Sequence, residues 1–214
     1  MVRSISRDLI INRLPAVQRD RFLVYVMGPY KSFNLNYVLP SEAREDISIE
    51  DLPGPLRQLF QNKDDIDEAK ALLRRVQGSL RSNPAVNAFL AVDIGIDTDR
   101  VDAATQSIEY ATCANMTVFI LPYLGHNFGV GEEAGSVLEA LSTGDGTDLD
   151  AGERERVVFA KESAVSSEMI RSAKSRWDVA VITYDSESEL VDHLRNKARR
   201  LVNREQFGDL DTLD

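Results

Sequence analysis

The chain has 214 residues, 43% of them hydrophobic and 28% charged, with 35 acidic against 25 basic side chains and a net charge of −10. That length and apolar content suit one globular domain with a sizeable core, and the acidity works against polymeric nucleic acid, whose phosphates are bound through clustered Lys and Arg. Cys113 is the only cysteine, which excludes an internal disulfide and a cysteine-rich metal site.

Arg greatly outnumbers Lys among the basic residues. An acid-rich, lysine-poor composition resembles that of halophilic proteins from a high-salt cytoplasm, where acidity is an adaptation to solvent. No apolar run approaches the roughly 20 residues needed to span a bilayer, so no membrane partner is expected. The start of the chain is interrupted by charges and lacks an apolar core of signal-peptide type. With the lone thiol, this makes a reducing cytoplasm the expected compartment.

Residues 1–20 read as an N-terminal helical segment, interrupted at Pro15. Residues 21–206 form the expected single α/β domain. Its first strand is the apolar run 22–27 (FLVYVM), stopped by Gly28-Pro29. Residues 40–60 hold Pro40, Pro53, Gly54 and Pro55 among many acids and read as an irregular insertion. Over 64–82, Ile66, Ala69, Leu73, Val76 and Leu80 fall on one stripe, which predicts an amphipathic helix. Residues 85–94 (AVNAFLAVDI) are read as the second strand and 99–114 as a helix with Val101, Ala104, Ile108 and Ala111 inward.

The run 116–123 is the third strand. After it come Gly125, Gly129 and Gly131 in a predicted loop, then a helix to Leu141 that carries Glu132 and Glu133 in its first turn. Glu133, Val137 and Leu141 are spaced by four and share a face that is otherwise apolar. Glu132 aligns with Ser136 and Glu139 on the solvated face. Glu132 therefore reads as a charge complementing the helix dipole, and Glu133 as a carboxylate turned toward the sheet or a cleft at its edge, costly there unless used or paired. Residues 142–156 read as a mobile polar loop, 157–160 as a fourth strand, 167–176 as a helix and 179–184 as a fifth strand. Ser186 and Glu189 form a capping-box pattern before a long helix to about residue 205. The acidic tail 207–214 reads as frayed.

Strands alternating with helices predict a doubly wound, flavodoxin-like parallel sheet of about five strands with helices on both faces. The runs 22–27 and 116–121 are apolar on both faces and should be adjacent at its centre. In such sheets ligands bind outside the carboxyl ends of the strands. Gly28, Pro29, Asp93 and the turn from Gly129 to Glu133 should then converge on one cleft.

Several chemistries are missing from the sequence. It has no GxxxxGK[ST] phosphate loop and no Ser-centred GxSxG elbow, and Gly129-x-Gly131-x-x-x-Gly135 misses the dinucleotide fingerprint. The histidines are His126, in the loop before Glu133, and His193, on a surface face of the last helix. Neither has Cys or His partners nearby, so no metal and no cofactor are expected.

VYVMGPY (24–30) resembles the opening of the nucleoside 2-deoxyribosyltransferase superfamily, where an apolar strand ends in Gly-Pro. That family follows a later apolar strand with a glycine-containing loop and a helix start carrying Glu, one residue, then Gly. Glu133-Ala134-Gly135, preceded by Gly129, is similar. The resemblance covers most of residues 22–141, and its recognisable motifs total about a dozen residues. The family loop carries Asp residues before the glycine, one of them for the nucleobase. Here residues 123–128 (YLGHNF) hold no acid. TIR-like domains that cleave nicotinamide dinucleotides share the layer order and also use a helix-borne Glu.

The resemblance implies a domain that binds a small-molecule nucleoside or nucleotide and cleaves or transfers at its N-glycosidic bond. Glu133 would be the catalytic carboxylate, stabilising an oxocarbenium-like centre or forming a glycosyl-enzyme intermediate. Gly28, Pro29, Gly129 and Gly131 would line the substrate site. Asp93 either accepts hydrogen bonds from sugar hydroxyls or caps the following turn. Tyr30 either stacks on a base or packs its own loop, and Asn127 either reads a base edge or makes a turn. The alternative is a non-catalytic module of the same fold, a sensor of a nucleotide-derived ligand or an assembly element. Self-association into a homo-oligomer is compatible with either.

Overall fold

The computed structural model describes residues 5–29, 63–123, 128–142 and 149–213. Tyr30, Gly125, His126, Asn127 and the insertion 40–60 lie outside them. Five strands are described: β1 (Arg19–Met27), β2 (Val86–Phe89), β3 (Met116–Leu121), β4 (Val157–Glu162) and β5 (Ala180–Tyr184). Every neighbouring pair is parallel, in the order β2-β1-β3-β4-β5. This is the doubly wound, flavodoxin-like arrangement. β1 and β3 are adjacent at its centre, with Val24 opposite Met116 and Val26 opposite Val118. All six residues of β3 and the last six of β1 are buried, as strands covered on both faces require.

The described helices are α1 (Arg7–Arg13), α2 (Lys63–Ser82), α3 (Ala91–Ile94), α4 (Ala103–Cys113), α5 (Phe128–Leu141), α6 (Ala151–Arg156), α7 (Glu168–Trp177) and α8 (Glu187–Phe207). Side chains alternate between the sheet's two faces. Leu23, Tyr25, Met27, Phe89, Phe119 and Phe159 join one core with α1, α3, α4, α5 and α7. Val24, Val26, Ala88, Val118, Ile120 and Val158 join the other with α2 and α8.

Several boundaries differ from the sequence reading, each for a local reason. α1 stops at Arg13, because the residue before Pro15 is held extended. β2 covers only Val86–Phe89. The chain then turns into α3, where the Asp93 carboxylate accepts the Leu90 N–H at 2.8 Å. α4 starts at Ala103, not at residue 99, because Asp102 caps it by accepting the Thr105 N–H at 2.9 Å. Within the presumed loop 142–156, residues Ala151–Arg156 are helical, capped by Asp150. α8 begins as expected: Ser186 accepts the Glu189 N–H, and Glu189 reaches back to the Asp185 N–H.

The C-terminal tail is packed rather than frayed. Leu210 is buried in the α2/α8 core. Arg204 donates to the Asp209 carbonyl and Arg156 to that of Asp211. Arg156 also pairs with Glu205 at 2.5 Å, with only 5% and 8% of the two side chains exposed. The Asn115 amide donates to Glu205 at 2.9 Å, and its oxygen accepts from Arg7 at 2.7 Å and from the Leu23 N–H at 2.8 Å. This network closes the amino edge of the sheet. It makes α1, with Ile10 fully buried, an integral part of the domain rather than an appended segment. No helix among the described residues is long and apolar enough to cross a membrane.

Candidate functional site

From β1 the chain passes to β2 on one side, then back across β1 to β3, β4 and β5 on the other. The order reverses between β1 and β3. Their carboxyl ends flank the crevice where open sheets bind ligands. Gly28 and Pro29 follow β1 there, and the segment from β3 leads into α5.

α5 starts at Phe128, so Gly129 and Gly131 belong to its first turn and not to a loop. Glu133 is consequently in the second turn, and no acidic residue stands in the first. This corrects the expected placement and weakens its electrostatic premise, because the helix-end field falls off within one turn. The face assignment is independent of that premise. Ala134, Val137 and Leu138 are fully buried against the sheet, and Glu133 is half-buried beside them.

The partner that the sequence reading did not single out is Tyr25. Its ring is completely buried, stacked on Phe89 at 5.1 Å and edge-on to Tyr110 at 5.4 Å. Burial raises its hydroxyl well above the ordinary phenol range, and the Glu133 charge raises it further, while a hydrogen bond with Ser107 opposes both. The phenol therefore stays neutral. Ser107, itself buried, donates to the Ala103 carbonyl at 2.9 Å. Beside them the Tyr110 hydroxyl donates to Gln106, whose amide donates to the Val101 carbonyl. A tyrosine within an otherwise apolar run of β1, and a serine on the inward side of α4, were the available signals.

Gly28 and Asp93 serve the other layer. A Cβ at Gly28 would stand 2.7 Å from a Leu73 methyl carbon, so the missing side chain makes room for α2. The Asp93 carboxylate is ion-paired with Arg74 and accepts from Gln77 at 2.6 Å, besides capping Leu90. Turn capping, one of its two expected roles, is served by the bond to the Leu90 N–H. Asp93 is thus engaged with α2, whereas Glu133 acts on Tyr25 in the opposite layer. The structure brings Gly28, Pro29 and the start of α5 to one edge of the sheet, and it bonds the Asp93 carboxylate to Arg74 and Gln77 of α2.

Two cavities are described, and neither is lined by Glu133. One, of about 350 Å³, lies at the amino edge beside Arg7, Asn115 and Glu205. The other, of about 510 Å³, lies between β4, β5 and α7. Among the described residues no group of three or more His, Cys, Asp or Glu could hold a metal ion. His193 sits 3.5 Å from Glu189 on the exposed side of α8.

Residues 7–214 match the family described as domain of unknown function (DUF7509), and the chain belongs to that family. No curated protein matches it.

Proposed function

We propose that this DUF7509 member binds a nucleoside or nucleotide at the carboxyl ends of β1 and β3 and cleaves or transfers at its N-glycosidic bond through Glu133. One observation carries the reading: a half-buried carboxylate stands among the fully buried Ala134, Val137 and Leu138 on α5, the helix that follows β3 at the topological switch point. A carboxylate half removed from water is costly unless paired or used.

In this reaction Glu133 would add to the anomeric carbon as the carbon–nitrogen bond breaks. The base would leave with the bonding electrons and take up a proton. Water or a second base would then displace the carboxylate. Gly129 and Gly131 in the first turn of α5 would bring backbone N–H groups close to the ligand. A second reading, a non-catalytic sensor or assembly module, draws support from Asp93 and Gly28, whose visible partners all belong to the fold.

The deciding experiment incubates the protein with a panel of nucleosides and nicotinamide dinucleotide and measures released base. Wild type should turn over at least one of them. Glu133→Gln should lose several orders of magnitude in rate with its fold intact, and Glu132→Gln should keep wild-type turnover. Equal turnover in wild type and Glu133→Gln removes Glu133 as the nucleophile. No turnover by wild type shifts the reading to the sensor or assembly module.

A further inference from the structure

The cavity of about 510 Å³ between β4, β5 and α7 is within the size range of small-molecule sites. Its lining is unlike the rest of this acidic chain. Lys161, Arg171 and Lys174 border it, and among the described residues no carboxylate does. Lys161 and Thr183 are register partners on adjacent strands, so their side chains stand next to each other on the Phe159 face of the sheet. Across from them, Ile170, Arg171 and Lys174 are three and four residues apart and share one stripe of α7. Ser163 and Ser166, in the connection from β4 to α7, close the end with hydroxyl groups. Val165 and Ile170, both buried, supply an apolar base.

Two acids adjoin the lining in sequence, Glu162 and Glu168. Glu162, the last residue of β4, accepts the Tyr123 N–H at 2.7 Å. Glu168 pairs with Arg171 through one guanidinium nitrogen, so this cation is shared with a carboxylate and keeps its remaining donors for an anion. Lys161 spends one donor on the Val165 carbonyl at 2.9 Å, which fixes its ammonium at the cavity and leaves two N–H groups. Three cations, of which Arg171 alone is shared with a carboxylate, and the hydroxyls of Ser166, Ser167 and Thr183 match the phosphate group of a small molecule. Such a dianion offers three strong acceptor oxygens, and the guanidinium fork suits it. A polymeric nucleic acid is disfavoured by the net charge of −10.

We infer that the cleft between Lys161, Thr183 and the Arg171–Lys174 face of α7 is a binding site for the phosphate group of a small phosphorylated molecule. The site does not depend on the chemistry proposed for Glu133.

Calorimetric titration of the full chain with inorganic phosphate, ribose 5-phosphate and uncharged ribose tests this. Ribose 5-phosphate should bind saturably and more weakly as salt is raised, and ribose should not bind. The Arg171→Gln/Lys174→Gln double variant, altered only at exposed positions, should weaken binding about tenfold or more, the equivalent of one charge-assisted hydrogen bond. Thr183→Val, which keeps strand propensity, should weaken it to a smaller degree. Glu133→Gln should bind as wild type does. Inorganic phosphate binding as tightly as the sugar phosphate would assign the site to the free anion, and weaker binding would assign it to a phosphomonoester. The inference is overturned if neither phosphate binds saturably at low salt, if the double variant binds as tightly as wild type, or if Glu133→Gln alone abolishes binding.

Discussion

Gly28→Ala asks whether the glycine ending β1 is there for a ligand or for α2. The added methyl carbon would sit 2.7 and 2.8 Å from the two methyl carbons of Leu73 and 3.2 Å from its Cγ. Carbon atoms pack at about 3.5–4.0 Å, so the leucine fork must retreat by about 1 Å. It has little room, because Leu73 is fully buried in the core shared by Val26, Val76 and Leu80. Overpacking of this kind costs about 1–3 kcal/mol, which a domain of this length registers as a melting-temperature drop of about 2–4 °C per kcal/mol. Urea unfolding of Gly28→Ala, Leu73→Ala and the double variant measures the effect. Leu73→Ala alone should cost about 2–5 kcal/mol. The double variant should be more stable than the sum of the singles predicts, by about 0.5 kcal/mol or more, because the new methyl enters the vacated space. Wild-type stability in Gly28→Ala, or strict additivity in the cycle, would refute the packing account and return Gly28 to the ligand.

Three other outcomes follow from the geometry. Glu205→Ala strands the buried Arg156 charge and should cost about 3–5 kcal/mol in urea unfolding, whereas replacing Arg156 and Glu205 together with methionine should cost clearly less than that single change. Asp93→Ala leaves the Leu90 N–H and the Gln77 amide without their acceptor and should cost about 1–3 kcal/mol per orphaned group; a loss of ligand affinity with unchanged stability would instead favour the sugar-binding role. Burial, reinforced by Glu133 for Tyr25 and by Glu162 for Tyr184, raises both phenols. In the unfolded chain they ionise near the ordinary value of about 10, so above that pH the unfolded state binds fewer protons and stability must fall. Thermal unfolding at increasing alkaline pH should show the decline, and Tyr25→Phe should flatten part of it.

The central strands were legible because burial on both faces writes an unbroken apolar run, as FLVYVM and MTVFIL do. The same signal failed for AVNAFLAVDI. A continuous apolar run does not distinguish a buried strand from a strand followed by a helical turn, and the deciding interaction, Asp93 with the Leu90 N–H, is a single side chain. At α5 the glycines misled. Gly129 and Gly131 carry a helix penalty of about 1 kcal/mol each, which argued for a loop, yet the helix begins before both. The tail was misjudged from its charge, since acidity reports on solvent exposure and says nothing of Arg204, one turn away, and the distant Arg156 holding the Asp209 and Asp211 carbonyls.

The candidate site divides along the same line between local and long-range information. Spacing within α5 identified Glu133 as the carboxylate on an apolar face, because i and i+4 neighbours are local. Its interaction with Tyr25 spans more than a hundred residues and follows from parity along β1. Odd-numbered positions there, Leu23, Tyr25 and Met27, share the layer of α5, and even-numbered ones, Val24 and Val26, share that of α2. Gly28 continues the even series, which is why its missing side chain meets Leu73 and not α5. Asp93, bonded to Arg74 and Gln77 of α2, falls with Gly28. Proximity to one sheet edge therefore grouped residues that the two faces of the sheet separate. Glu133 shares the layer of Tyr25 and Ser107, whereas the visible partners of Gly28 and Asp93 belong to α2 and α3.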